Sequence, residues 1–217
     1  MEMSDRDLGN IRHEYGRGSL DESALPADPM DLFSSWLEQA QGSGNPEPTA
    51  MTLSTVEYNG QPSSRIVLLK KLNAGRLIFY TNYKSRKARD MRSHMRVAAH
   101  FFWPELERQV KIAGIAHPVR DEDSDLYFRS RPFESRIAAW ASPQSEVIPD
   151  RQYLEDEYRN YLAKFADNRE VPRPHHWGGY AITPFRIEFW QGRTGRLHDR
   201  IEYTKKDDRW SFARLAP

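Results

Sequence analysis

Arg196, His198 and Arg200 alternate along the segment RLHDR near the end of the chain. Alternate residues of a strand point to one side, so this spacing predicts three basic groups on one face. Like charges placed together repel unless an anion joins them, which points to an anionic ligand; a solvent-facing basic strand is the alternative. A second set brackets the apolar run Ile66-Val67-Leu68-Leu69, with Arg65 before it and Lys70 after it. A strand that apolar should be buried, and burying an unpaired cation is costly. An anion is therefore expected at its ends, although snorkelling side chains or salt bridges would also serve.

Two further sets suit phosphate. Ser85-Arg86-Lys87 opens a predicted helix just after a strand ending Tyr80-Thr81. Helix N–H groups, a hydroxyl and two cations make a phosphate cradle, or else an ordinary surface helix. Tyr127, Arg131 and Ser135 fall at i, i+4 and i+8 and would share one face of a continuous helix. Phenol, guanidinium and hydroxyl could hold a second phosphate, but Pro132 argues for a break between them, and an exposed amphipathic face is the alternative. Gln109 at the start of an apolar strand, and Gln144 and Ser145 in a loop, suit the polar rim of a ring. Trp190 is expected to fill the core or to stack on a ring.

Other chemistries are unsupported. There is no GxGxxG after a strand, no Walker A loop and no HExxH. His175 and His176 are adjacent, so on one strand they would face opposite ways, and no metal site is expected. The absence of cysteine excludes disulfides, thiolate zinc sites and cysteine nucleophiles. The formal net charge of +1 gives no bulk attraction to nucleic acid, so any anion must be held by a local cluster. The N-terminus lacks an apolar signal region, and no apolar run approaches the ~20 residues needed to span a bilayer. A soluble, cytoplasmic protein with no membrane or nucleic-acid partner is expected.

The elements that must position these residues can be read from the same chain. Asp28-Pro29 caps a helix that carries Leu32, Phe33, Trp36, Leu37 and Ala40 at helical spacing. Asn59-Gly60 is a hairpin signal between strands expected at 50–58 and 64–72. Further strands are expected at 77–81, 97–103, 109–115, 179–182, 187–191, 198–203 and 210–214. A short basic helix capped by Ser85 should run over 85–95, and longer helices over 121–141 and 150–165, the last with a Glu155–Arg159 pair. Many short strands with helices gathered between them suggest an antiparallel barrel of the α+β class. The length fits one domain, with residues 1–24 as an arm and 25–217 as the body.

In order and spacing, RIVLLK at 65–70, FYTNYKSRKA at 79–88, FFWPELERQVKIAG at 101–114, YFRSRPFESRIAAWAS at 127–142, WGG at 177–179, IEFWQG at 187–192, RLHDR and the terminal RLAP resemble the pyridoxine (pyridoxamine) 5′-phosphate oxidase family. The resemblance implies a split β-barrel with flanking helices that binds FMN at the interface of a homodimer. It implies oxidation of pyridoxine 5′-phosphate and pyridoxamine 5′-phosphate by O2. By position, FMN contacts would fall on Arg65, Ile66, Val67, Leu68, Leu69, Lys70, Tyr80, Thr81, Arg86, Lys87, Gln109, Gln144, Ser145, Trp190 and Arg200. Substrate contacts would fall on Lys70, Tyr127, Arg131, Ser135, Arg196, Leu197 and His198, with Arg196 and His198 as catalytic residues. Arg12, His13, Glu14 and Tyr15 resemble an arm that closes over the substrate. Family members often carry a second arginine where this chain has His13.

Overall fold

The structure, a computed structural model, describes residues 13–166 and 170–217; Arg12 lies outside them. The chain forms two compact units. One holds the described residues up to Pro48 with Phe102–Val110 and Ile187–Pro217, and the other holds Thr49–Phe101 and Lys111–Arg186.

In the first unit, helix α1 (Pro29–Gly42) starts as the sequence predicts, with the Asp28 carboxylate accepting from Met30 N and proline in the first turn. Its buried side is Met30, Phe33, Trp36, Leu37 and Ala40, with Leu32 only half-buried. Phe33 faces Trp103, and Trp36 meets Phe189 edge-on at 5.2 Å. Each such side chain contributes about 1.5–3 kcal/mol on burial. Strands β8 (Asp199–Lys206) and β9 (Arg209–Leu215) form an antiparallel hairpin in this unit.

The second unit is built on β1 (Ala50–Val56), β2 (Pro62–Leu68), β3 (Lys71–Asn73) and β4 (Arg76–Asn82). Strands β5 (Arg96–Trp103), β6 (Arg108–Pro118) and β7 (Trp177–Gln191) each contribute residues to both units. The strands hydrogen-bond in the order β2-β1-β5-β6-β7-β4-β3, with β8 joining β7 and β9. The Asn59-Gly60 turn forms as expected, with Gly60 at φ +89° and Asn59 Oδ1 accepting from Gln61 N. Helices α2 (Arg86–Ser93), α3 (Asp121–Ser130), α4 (Phe133–Ala141) and α5 (Arg151–Lys164) complete the unit.

Several sequence expectations are corrected. The strand expected over 64–72 is two strands, because the backbone changes neighbours: Leu69 N donates to Thr49 O and Lys70 N to Ile78 O. The pair expected at 179–182 and 187–191 is the single strand β7. Pro184 lies past Ile182, the last residue paired with β4, so its missing N–H removes no bond to that strand. The helix expected over 121–141 breaks at Arg131-Pro132, where a proline disfavours helical backbone before it. On α5, Glu155 pairs with Arg151 and Arg159 with Asp156, in place of the expected Glu155–Arg159 pair. Neither adds more than tenths of a kcal/mol at such exposure.

Strand β6 passes β7 very closely at Gly114. A Cβ there would stand 2.5 Å from Ile182 Cγ2 and 2.8 Å from the Thr183 carbonyl oxygen. Backbone cannot yield as a side-chain tip can. Gly114→Ala should therefore destabilise the protein by about 1–3 kcal/mol, read as a lowered denaturant midpoint; an unchanged midpoint would show that the strands separate freely.

Candidate active site

The second unit brings most of the sequence-predicted residues into one place. Ile66, Val67 and Leu68 from the end of β2, and Lys70 just after it, line a cavity of about 300 Å³, together with Tyr80 and Thr81 from β4. Lys87 on α2, Tyr127 and Arg131 at the end of α3, and Gln144 in the following loop line it too. A second hollow shares Ile66, Lys87 and Gln144 and adds Arg65, Arg86 and Ser145. Leu69 is buried and faces the core.

Lys87 is the electrostatic centre of this arrangement. It is 8% exposed, and its ammonium donates to Thr81 Oγ1 (3.1 Å), Ser85 Oγ (3.1 Å) and Gln144 Oε1 (2.9 Å). All three acceptors are neutral. Burial, helped by the nearby charge of Arg65 and opposed by Asp90, lowers its pKa to about 8. Ser85 occupies the expected N-cap position, but its hydroxyl makes no cap bond and serves Lys87 instead.

Arg65 is held from several sides. Its Nη1 donates to the Leu53 and Ser63 carbonyls and to Thr55 Oγ1 (2.7 Å), and Nη2 lies 3.7 Å from Asp90. Thr55 in turn donates to Asp90 (2.7 Å). The anion expected beside Arg65 is thus partly supplied by the chain. The expectation that the run after Arg65 is wholly buried is corrected: Ile66 is 63% exposed, because β2 alternates at the edge of the sheet.

Tyr80, Tyr127 and Trp177 stack in parallel, with Tyr80 and Tyr127 centred 3.9 Å apart. The Arg131 guanidinium lies over the Trp177 ring at 4.6 Å, and its buried Nη1 has no hydrogen-bond partner among the described residues. Tyr127 and Arg131 therefore stay together despite the helix break. Ser135 does not share their helix; it is half-buried in the first turn of α4.

The first unit gathers the rest. Trp190 and His198 rings lie 4.6 Å apart, and Tyr15 meets both edge-on at 5.6 Å. The expected alternation of Arg196, His198 and Arg200 on one strand is corrected. Arg196 sits in a 3-10 turn with φ +61°, His198 precedes β8, and only Arg200 lies on it. Arg200 donates to buried Glu188 (2.9 Å), and this bond raises its pKa. The His198 Nδ1 accepts from Arg193 N (3.1 Å), so a neutral ring carries its proton on Nε2. Leu197 and Arg196 are exposed, and Gln109 is half-buried at the start of β6. His13 and Glu14 are exposed. His175 and His176 lie in a turn and not on a strand, and His176 Nε2 lies 3.1 Å from the Ala139 carbonyl.

Comparison with known proteins decides the family. Residues 37–164 match the family model described as pyridoxamine 5′-phosphate oxidase, and residues 177–217 match its C-terminal dimerisation region. The chain belongs to the pyridoxine/pyridoxamine 5′-phosphate oxidase family. A relative of that name from Bacteroides thetaiotaomicron is 50% identical, over 98% of this chain and 100% of its own. Another, from Cupriavidus pinatubonensis, is 49% identical over 97% of this chain and 99% of its own. The crystal structure of PhzG from Burkholderia lata, in complex with tetrahydrophenazine-1-carboxylic acid, superposes with a TM-score of 0.85 at 29% identity, covering 92% of this chain and 100% of that one. An FMN-binding, oxidase-related protein from Nostoc punctiforme superposes with a TM-score of 0.69 at 16% identity, covering 89% and 100%. The fold is the expected antiparallel split barrel of the α+β class.

Sequence reasoning missed Asp90 and Thr55, which position Arg65, and Trp177, which completes the aromatic stack. For Thr55 and Asp90 the only sequence signal is their place on the buried faces of β1 and α2; Trp177 stands in the WGG run at 177–179, which carried no role of its own. For a family whose substrates carry phosphate, Lys87 yields a pH test. Its ammonium is charged below about 8 and a phosphate monoester is a dianion above roughly 6, so affinity should be full between these values and fall as pH rises through the upper one. Lys87→Met should lower riboflavin 5′-phosphate affinity roughly 10–100-fold at pH 7 and flatten the profile between pH 7 and 9. Fluorescence titration of the ligand checks this, and an unaltered profile would remove Lys87 from the site.

Proposed function

We propose that this chain is an FMN-dependent oxidase converting pyridoxine 5′-phosphate and pyridoxamine 5′-phosphate to pyridoxal 5′-phosphate, with O2 reduced to hydrogen peroxide and, for the amine, water consumed and ammonia released. The observation that carries the reading is the presence of two cationic places in one unit. One is Lys87 with Arg65 and Arg86, and the other is Arg131 with its buried, unpartnered Nη1. The reaction needs two phosphates, one on the cofactor and one on the substrate.

The residues fit that cofactor. Arg65, Arg86 and Lys87 would hold its phosphate, with Thr81, Gln144 and Ser145 as neutral partners. Ile66, Val67, Leu68, Leu69 and Tyr80 would lie along the ligand, and Gln109, Trp190 and Arg200 would complete its surroundings. When bound, FMN supplies the two-electron chemistry, taking hydride from substrate C4′ and passing the electrons to O2. Lys70, Tyr127, Arg131 and Ser135 would bind the substrate phosphate. Arg196 and Leu197 would border the pyridine ring, and Arg196 would hold it electrostatically. His198, with Nδ1 occupied by the Arg193 N–H, presents Nε2–H as its donor. It would orient the ring from that atom or return a proton there.

In this reading residues 1–24 are an arm, whose residues Arg12, His13, Glu14 and Tyr15 close over the substrate, and 25–217 form the catalytic domain. Two chains pair with FMN at their interface. The match to a dimerisation region supports this, as do exposed apolar side chains such as Ile66 and Leu197. Among the described residues no helix is long and apolar enough to cross a membrane. The enzyme is assigned to the cytoplasm, without nucleic-acid or membrane partners.

The FMN-loaded protein, mixed with pyridoxine 5′-phosphate without oxygen, should lose its visible flavin absorbance and regain it in air. A flavin that stays oxidised would move the assignment to a different donor, such as a carboxylate-bearing ring of the kind bound to PhzG. Arg196→Ala should lower turnover by about 100-fold or more, of the order of one lost transition-state contact, with FMN content unchanged. An empty flavin site with unaltered turnover per bound flavin would reverse the role given to Arg196.

A further inference from the structure

Glu107 is a buried acid that the oxidase reading leaves without a role. It is 3% exposed and ends the 3-10 turn Pro104–Leu106 with left-handed backbone, φ +55°. A side chain other than glycine, asparagine or aspartate is unusual there, so its contacts must offset the strain. Those contacts reach across the sequence. Oε2 accepts from Gly16 N (2.7 Å) and Arg17 N (2.9 Å). Oε1 lies 3.6 Å from His13 Nε2 and 3.8 Å from Arg17 Nε. Burial pushes the carboxyl pKa up, but the Arg17 and Gly16 N–H groups, with the charges of Arg17 and His13, hold it below the usual range.

The same residue grips the end of β7. Its carbonyl accepts from Gly192 N (2.8 Å) and Gln191 Nε2 (3.3 Å). Gly192 leaves no room for a side chain: a Cβ there would stand 2.8 Å from Tyr15 Cβ and 3.0 Å from Glu107 Cβ. Tyr15, one residue before the anchored amides, meets Trp190 and His198. Glu107 thus ties residues 13–17 to the strand end that carries Trp190.

We propose that Glu107 is a positioning residue that seats the segment 13–17, so that Tyr15 covers the Trp190–His198 pair and retains the substrate. The effect on substrate rests on the oxidase reading; the seating does not. Glu107 touches no reacting group and acts only through the segment it anchors.

The test uses the full-length FMN-loaded protein. In Glu107→Ala, hydrogen exchange at the Gly16 and Arg17 amides should accelerate about tenfold or more, as loss of a charge-assisted bond implies. KM for pyridoxine 5′-phosphate should rise about tenfold while kcat and FMN content stay within about threefold, the pattern of lost uniform binding. Glu107→Gln keeps the shape and one acceptor oxygen, so it decides the matter if the alanine variant does not fold. It should show the same changes at smaller size. Unchanged exchange at both amides in the variant that folds would overturn the seating role. Faster exchange with a proportional fall in kcat and FMN content would overturn the positioning role in favour of a general structural one. Faster exchange in a protein whose flavin pyridoxine 5′-phosphate never bleaches would keep the seating and remove the oxidase reading instead.

Discussion

A cation withdrawn from water with no carboxylate bonded to it costs stability, and the cavity of the second unit is lined by two such cations. Lys87 is surrounded by three neutral oxygens, and Arg131 keeps a buried N–H without an acceptor among the described residues. Both fit the proposed ligands, which would bring negative charge. The nearby architecture is compatible with this. The edge strand β2 stays open at Ile66, the loop after α4 delivers Gln144 to Lys87, and α3 stops at Arg131 so that the guanidinium turns onto Trp177.

The acid beside this site is handled differently. Asp90 lies near the cluster but is bonded to Thr55 and aimed at Arg65. It fixes one cation and leaves the other two. Had Asp90 paired with Lys87 directly, the site would be neutralised before any ligand arrived. A hydroxyl between acid and arginine gives rigidity without full compensation, which suits a place that must stay attractive to anions.

The sequence made the local signals legible. Asp28-Pro29 and Asn59-Gly60 act within a few residues of themselves, so the cap and the turn appear where they are expected. The residues of the unit 2 cavity were legible for another reason: cations beside apolar strands stand out by type. What stayed hidden depends on partners distant in sequence. The break at Leu69-Lys70 exists because two different strands supply its acceptors. The unbroken course of β7 through Pro184 depends on where β4 stops. The alternation of Arg196, His198 and Arg200 failed because Arg196 takes up a turn with positive φ, which periodicity cannot register.

Positive φ also separates two kinds of position. Of the six non-glycine residues that adopt it among the described residues, Ala74, Asp207 and Asp208 lie in tight hairpin turns, where it is the ordinary solution. Glu107 and Arg196 lie instead in the longer connections β5–β6 and β7–β8, each carrying a 3-10 turn, and Ser145 lies in the loop after α4. One anchors the segment that bears Tyr15, and the other two are among the residues assigned to ligand. Strain held at such places must be offset by contacts or by function. For Glu107 the contacts are visible, in its carboxylate and its carbonyl. For Arg196, exposed in its turn, the partner that would offset it in the proposed function is the substrate ring. Mobility of that turn should therefore fall on substrate binding more than on flavin binding, read as slowed hydrogen exchange at the Arg196 amide with each ligand in turn; equal slowing by flavin alone would remove the ring as the partner.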